Sequence, residues 1–144
     1  MLDTRLIGYW SDEVLYVGDM ETNDIAFGHD GSGFSYWARV GGVFTVKRFT
    51  WNIDNQRLQI RFTCRLSGTW TVHLGHIRHY VTGERGCSSA WAAPYRISRA
   101  DDALGNPTTV LTLDRRIGVG GQRFAYLRDT IEDPTRKRHK RRPP

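Results

Sequence analysis

At 144 residues, with 39% hydrophobic and 12% aromatic residues, the chain is sized for one packed domain and is too apolar for wholesale disorder. Its net charge of +6 is local: residues 136–142, Arg-Lys-Arg-His-Lys-Arg-Arg, hold 6 of the 21 Lys and Arg, and all 15 acids precede them, so the body is neutral. No apolar run approaches the roughly 18 residues that span a bilayer, the N-terminus carries no signal-peptide pattern, and two cysteines, Cys64 and Cys87, make neither a disulfide scaffold nor a close-spaced metal motif. The expectation is a cytoplasmic domain over residues 1–133 and a basic, disordered tail over 134–144. That tail offers the one weak route to nucleic acid or an acidic membrane surface.

Period-two alternation rich in Val, Ile, Thr, Tyr, Phe and Trp predicts strands near 6–11, 13–18, 24–28, 33–40, 43–53, 56–66, 69–81, 89–98, 108–116 and 122–129. Turn signals separate them: Asp30-Gly31, Gly41-Gly42, Asp54-Asn55, Ser67-Gly68, Gly105-Asn106-Pro107 and Gly118-Val119-Gly120-Gly121. No stretch carries a helical stripe with caps, and Ala100–Leu104 reads as a short turn. The pattern predicts an all-β, antiparallel up-and-down barrel of about 8–10 strands, since closure removes the exposed edges of such a meander.

Hairpin geometry then assigns faces. A two-residue turn at Gly41-Gly42 pairs Tyr36 with Lys47 and Phe34 with Phe49. A second at Asp54-Asn55 pairs Trp51 with Leu58, Phe49 with Ile60 and Lys47 with Phe62. Phe34, Tyr36, Phe49, Trp51, Leu58, Ile60 and Phe62 then face inward, with Phe27 and Ile25 joining them across Asp30-Gly31. Arg57, Gln59, Arg61, Thr63 and Arg65 face solvent. A three-residue loop at Leu66–Gly68 would turn Trp70, Val72, Leu74 and His76 inward and a two-residue loop Thr71, His73 and Ile77, the apolar pattern favouring the first; Trp91, Ala93, Tyr95 and Ile97 form a further inner stripe.

Gly8-Tyr9-Trp10 at the head of the first strand resembles the Gly-x-Trp signature of lipocalins and the wider calycin group. The stretch from Ile25 to Gly33, with Phe49-Thr50-Trp51-Asn52-Ile53 and Leu58-Gln59-Ile60, is similar to small bacterial lipocalin-like domains. The resemblance covers most of the first 75 residues and implies a barrel that binds a small molecule. In that group the Trp plugs the closed end beneath an Arg of the last strand, a position open to Arg123 or Arg128. Residues 11–24 leave no room for the two helices of fatty-acid-binding proteins. The final strands lack the His of haem-binding relatives, so no cofactor is implied.

Three groups of residues invite chemistry. Lys47, the one lysine before the tail, is expected on an apolar face beside Tyr36, either as an anchor for an anion or as a reactive amine, unless it snorkels at a barrel rim. His73, His76 and His79 recur every third residue; on a strand they alternate faces, so no metal site is expected and His76 is the inward histidine. Phe27, Phe34, Tyr36, Lys47, Phe49, Trp51, Phe62, Trp70, Trp91 and Tyr95 form the expected ligand-binding set, suited to a flat or greasy molecule.

The leading expectation is a lipocalin-like carrier of a small hydrophobic organic ligand, neutral or anionic, in the barrel interior, as a monomer or homodimer. A second is a small barrel enzyme, a cyclase or isomerase acting on a hydrophobic natural-product intermediate in biosynthesis, with Tyr36, Lys47 and His76 as acid–base groups. A third is a protein-interaction or immunity-type module using the outer arginines.

Overall fold

The computed structural model describes residues 1–13, 15, 20–117 and 121–135. The expected strand at 13–18, the Gly118–Gly121 turn and the 134–144 tail fall wholly or partly outside them. Nine antiparallel strands hold 71% of the described residues, among which there is no helix. They are β1 (Gly8–Ser11), β2 (Glu21–Phe27), β3 (Ser32–Arg39), β4 (Val43–Asp54), β5 (Arg57–His73), β6 (His76–Gly86), β7 (Ala90–Asp101), β8 (Pro107–Ile117) and β9 (Gly121–Arg128). The sheet runs β4-β3-β2-β1-β9-β8-β7-β5-β6, and a β4–β5 pairing closes eight of the strands into a ring. Only β6 stands outside the ring, paired along the far half of β5.

The ring interior is filled. Trp10, Phe27, Phe49, Trp51, Leu58, Ile60, Phe62, Trp91, Leu111, Leu113 and Phe124 are buried in one cluster, with Tyr95 and Ile97 packed against it. Phe27 meets Phe49 at 5.8 Å and Trp51 at 5.1 Å between ring centroids, and Phe49 meets Phe62 edge-on at 6.0 Å. The N-terminal segment closes one end: Trp10 Nε1 donates to the Leu6 carbonyl at 2.8 Å, and Tyr95 Oη donates to Asp3 at 2.6 Å. Tyr126 packs edge-on against Trp10, whereas Arg128 stacks on Tyr9.

A second cluster lies on the other face of the same sheet. Tyr9, Ala26, Phe34, Ala38, Phe44, Val46 and Leu66 are buried there, joined by Tyr36, Trp70, Val81, Leu127 and Ile131. Two local irregularities create it. The β3–β4 loop has three residues, Val40-Gly41-Gly42, with Gly42 at φ 84° bonding back to Arg39. Three-residue hairpins take a left-handed residue at this place. The register therefore pairs Ser35 with Lys47, Tyr36 with Val46 and Gly33 with Phe49. The expected Tyr36–Lys47 and Phe34–Phe49 pairs are displaced by one residue, which moves Phe34 and Tyr36 out of the barrel and into the second cluster.

The other irregularity is a bulge. Arg48 pairs with Cys64 and Phe49 with Phe62, so Thr63 is an extra residue on β5. Leu58, Ile60 and Phe62 point into the barrel before it, and Cys64 and Leu66 point to the second cluster after it. The β4–β5 turn is Asn55-Gln56, not Asp54-Asn55, a shift of two that preserves the expected faces. Ser67-Gly68 is not a turn at all. It lies opposite a second bulge at Thr82 inside a β5 that runs on to a tight turn at Leu74-Gly75. Val72, Leu74 and His76, expected inside, are consequently exposed.

Gly68 permits the close approach of β5 and β6, because a Cβ there would sit 1.9 Å from the Tyr80 carbonyl oxygen. Gly68→Ala should cost about 1–3 kcal/mol in urea unfolding as overpacking. Gly41→Ala, where the nearest atom to such a Cβ lies at 3.8 Å, should be close to neutral.

Candidate functional site

The second cluster surrounds three buried ionisable groups, Tyr9, Asp24 and His79. Asp24 on β2 is 8% exposed and sits opposite Ser11 on β1 and Tyr36 on β3. Tyr9 Oη donates a hydrogen bond to Asp24 Oδ2. Burial pushes the Asp24 carboxyl up to about 6, against the hydrogen bonds of Ser11 and Tyr9, and the nearby Asp12 and Glu13 add to the rise. Burial, with the Asp24 charge behind it, also drives the Tyr9 and Tyr36 phenols well above their usual range.

Tyr36 links this pair to β6. Its Oη lies 2.8 Å from Nε2 of the buried His79, whose ring also stands edge-on to Phe44 at 4.8 Å. His79 reaches Tyr36 because the end of the β5–β6 hairpin curls over the outside of β3 and β4. That curl is fixed where Trp70 Nε1 donates to the Arg39 carbonyl at 3.2 Å and Trp70 N to the Gly42 carbonyl at 2.8 Å.

A cleft of about 650 Å³ opens above these groups, lined by Tyr9, His76, Ile77, His79, Arg128 and the Glu132–Pro134 segment. The Arg128 guanidinium stacks on the Tyr9 ring at 4.1 Å. Asp133 is neutralised from below, since Arg48 Nε donates to its Oδ2 at 2.7 Å and Arg48 Nη2 reaches Thr135 at 3.1 Å. These bonds hold the segment after β9 against the sheet as one wall of the cleft.

The expected site residues divide between the two faces. Phe27, Phe49, Trp51, Phe62, Trp91 and Tyr95 are brought together in the barrel, and Phe34, Tyr36 and Trp70 in the second cluster. Lys47 stays on the barrel side, half-buried, with Nζ 5.5 Å from the Phe62 ring centroid, and so is separated from Tyr36 by the sheet. His76 is exposed at the cleft rim and pairs with His73 across the turn, not with an interior group. Three surface clefts each touch one of the barrel's interior aromatics, Trp51, Tyr95 or Phe49.

Tyr9 and Asp24 were not proposed as site residues from the sequence; His79 entered only in the histidine series and Arg128 only as a candidate cap on Trp10. The available signal was an acid, Asp24, inside a strand directly before the core run Ile25-Ala26-Phe27, where an outward-facing carboxylate would ordinarily be solvated. Comparison with known protein families, curated proteins and solved structures gives no match to this chain.

Because the Asp24 carboxyl is raised in the folded state, proton uptake favours folding between its folded value near 6 and its ordinary value of 3.8. Lowering the pH from 7 toward 4.5 should therefore add stability, up to on the order of 2–3 kcal/mol. Urea midpoints measured across this range should rise in the parent, and the rise should flatten in Asp24→Asn.

Proposed function

We propose that this chain is a small-molecule-binding β-barrel of lipocalin-like type, and that it holds a hydrophobic organic ligand with an anionic group in the cleft beside the barrel. The observation that carries this reading is the Arg128 guanidinium stacked on the Tyr9 ring at the cleft, with buried His79 lining the same space. The ring offers an apolar face, the guanidinium offers a planar fork for a carboxylate or similar group, and His79 offers a ring for further contact. The packed ring interior favours the cleft over the barrel as the place for the ligand, in keeping with small barrels that fill themselves with side chains. Cys64 and Cys87 form no disulfide among the described residues, which fits a reducing compartment such as the cytoplasm.

The 2.8 Å contact between Tyr36 and His79 favours a second reading, an acid–base enzyme of the cyclase or isomerase kind. Here Tyr36 and His79 take the part that the sequence pattern gave to Tyr36, Lys47 and His76. Turnover separates the two readings: a mass change in candidate metabolites that disappears in His79→Ala would favour the enzyme.

Anilinonaphthalene sulfonate, a flat apolar anion, serves as a probe of binding. Its fluorescence titration should show one site that Arg128→Gln weakens by an amount typical of a lost charged hydrogen bond, about 1.5–3 kcal/mol. Lys47→Met should leave it unchanged. The reverse order would place the anion in the barrel, next to Phe62.

A further inference from the structure

The hairpin arm formed by the ends of β5 and β6 projects past its last β4 partner, which pairs Val43 with Thr69. Trp70 and His79 pair across it on the face turned to the second cluster, and Val72 and Ile77 continue that face. Beyond the sheet nothing among the described residues covers them. Val72 is 63% exposed, Ile77 57% and Leu74, at the turn, 85%. Three adjacent large aliphatic side chains at the tip of a hairpin form a patch, unlike scattered surface apolar residues.

The turn itself is built against local preference. Leu74 has φ 50° and Gly75 φ 79°, the two left-handed positions of a tight hairpin turn. The first of these suits Asn, Asp or Gly, and a leucine there carries backbone strain. The sequence thus places an exposed leucine where a small polar residue would be both more soluble and less strained. Residues 66–83 contain no acid, while Arg78, His73 and His76 flank the tip and Trp70 and Tyr80 stand behind it. Glu132–Pro134 line the same cleft as Gly75, His76 and Ile77. In sequence, the basic run 136–142 begins two residues after Pro134.

We propose that the Val72–Leu74–Ile77 tip is a docking element for an anionic lipid surface, inserting its aliphatic side chains while Arg78 and the basic run engage the headgroups. A shallow apolar anchor and a polybasic segment are each weak alone and bind membranes in combination. Charge complementarity favours this partner, because residues 66–83 carry Arg78 and no acid and the adjoining Asp133 is already engaged by Arg48. Glu132 is the one exposed acid lining the cleft at this place. A nucleic acid would use the basic run but has no use for the three aliphatic side chains.

The test is co-sedimentation of the full chain with vesicles of phosphatidylcholine, with and without phosphatidylserine. Binding should require phosphatidylserine and should weaken as salt rises. Leu74→Asn combined with Ile77→Thr should reduce it by about tenfold or more, from the loss of buried aliphatic surface. Leu74→Asn alone should weaken binding while leaving the thermal midpoint equal or higher, since Asn suits the turn, so that loss of binding is not loss of fold. Replacing Arg136, Lys137, Arg138 and Lys140 by Gln should weaken it independently. Three results would overturn the proposal: vesicle binding indifferent to the tip substitutions, tighter binding to a DNA or RNA duplex than to vesicles, or self-association that Leu74→Asn abolishes without any vesicle binding.

Discussion

One added residue, Thr63, governs the architecture. The β4–β5 pair is longer than the ring needs: β5 has 17 residues, of which Arg57–Arg61 make the pairing to β7. A regular strand of that length would carry one apolar face for about 55 Å, and half of that face would be stranded outside the barrel. The bulge exchanges the two faces partway along. Its lower half fills the ring with Leu58, Ile60 and Phe62, and its upper half supplies Leu66 and Trp70 to the cluster on the outside. Thr63 also bonds its hydroxyl to the Arg48 carbonyl at 3.3 Å, returning a partner to a ladder that the bulge interrupts.

The polar chemistry follows from that exchange. Asp24 and Tyr36 lie on the outer face of the barrel wall, where a simple eight-stranded ring would leave them in water. The arm and the segment through Thr135 cover that face, so the carboxylate and two phenols are desolvated together. Burial here assembles ionisable groups without any of them being adjacent in sequence, which is how perturbed acids gather at binding and catalytic places.

Much of the fold was legible in residue pattern, and the reasons differ by element. The alternation of Leu58, Ile60 and Phe62 against Arg57, Gln59 and Arg61 fixes a half-buried strand, and Trp91, Ala93, Tyr95 and Ile97 form the inner stripe their spacing implies. What alternation cannot encode is a break in its own phase. The third loop residue, Val40, and the extra Thr63 each shift parity by one, so Phe34 and Tyr36 carry a barrel-like pattern yet face outward. The Ser67-Gly68 pair has turn composition, but its glycine serves a close strand approach. The choice of His76 rested on a loop at Ser67-Gly68, and β5 runs straight through that pair.

The order of the strands around the ring carries a kinetic meaning. Omitting β6, the remaining strands follow one another in sequence until the chain's two ends meet, where Tyr9–Ser11 pair with Ala125–Arg128. The wall between β3 and β6 comes from consecutive hairpins, whose loop-closure entropy is small. The β1–β9 seam joins segments from opposite ends of the chain and is the costliest closure in the molecule. The outer cluster, drawn mostly from consecutive hairpins, can therefore condense before the barrel is a barrel. The last wall to close is then the one that carries Trp10 against Tyr126.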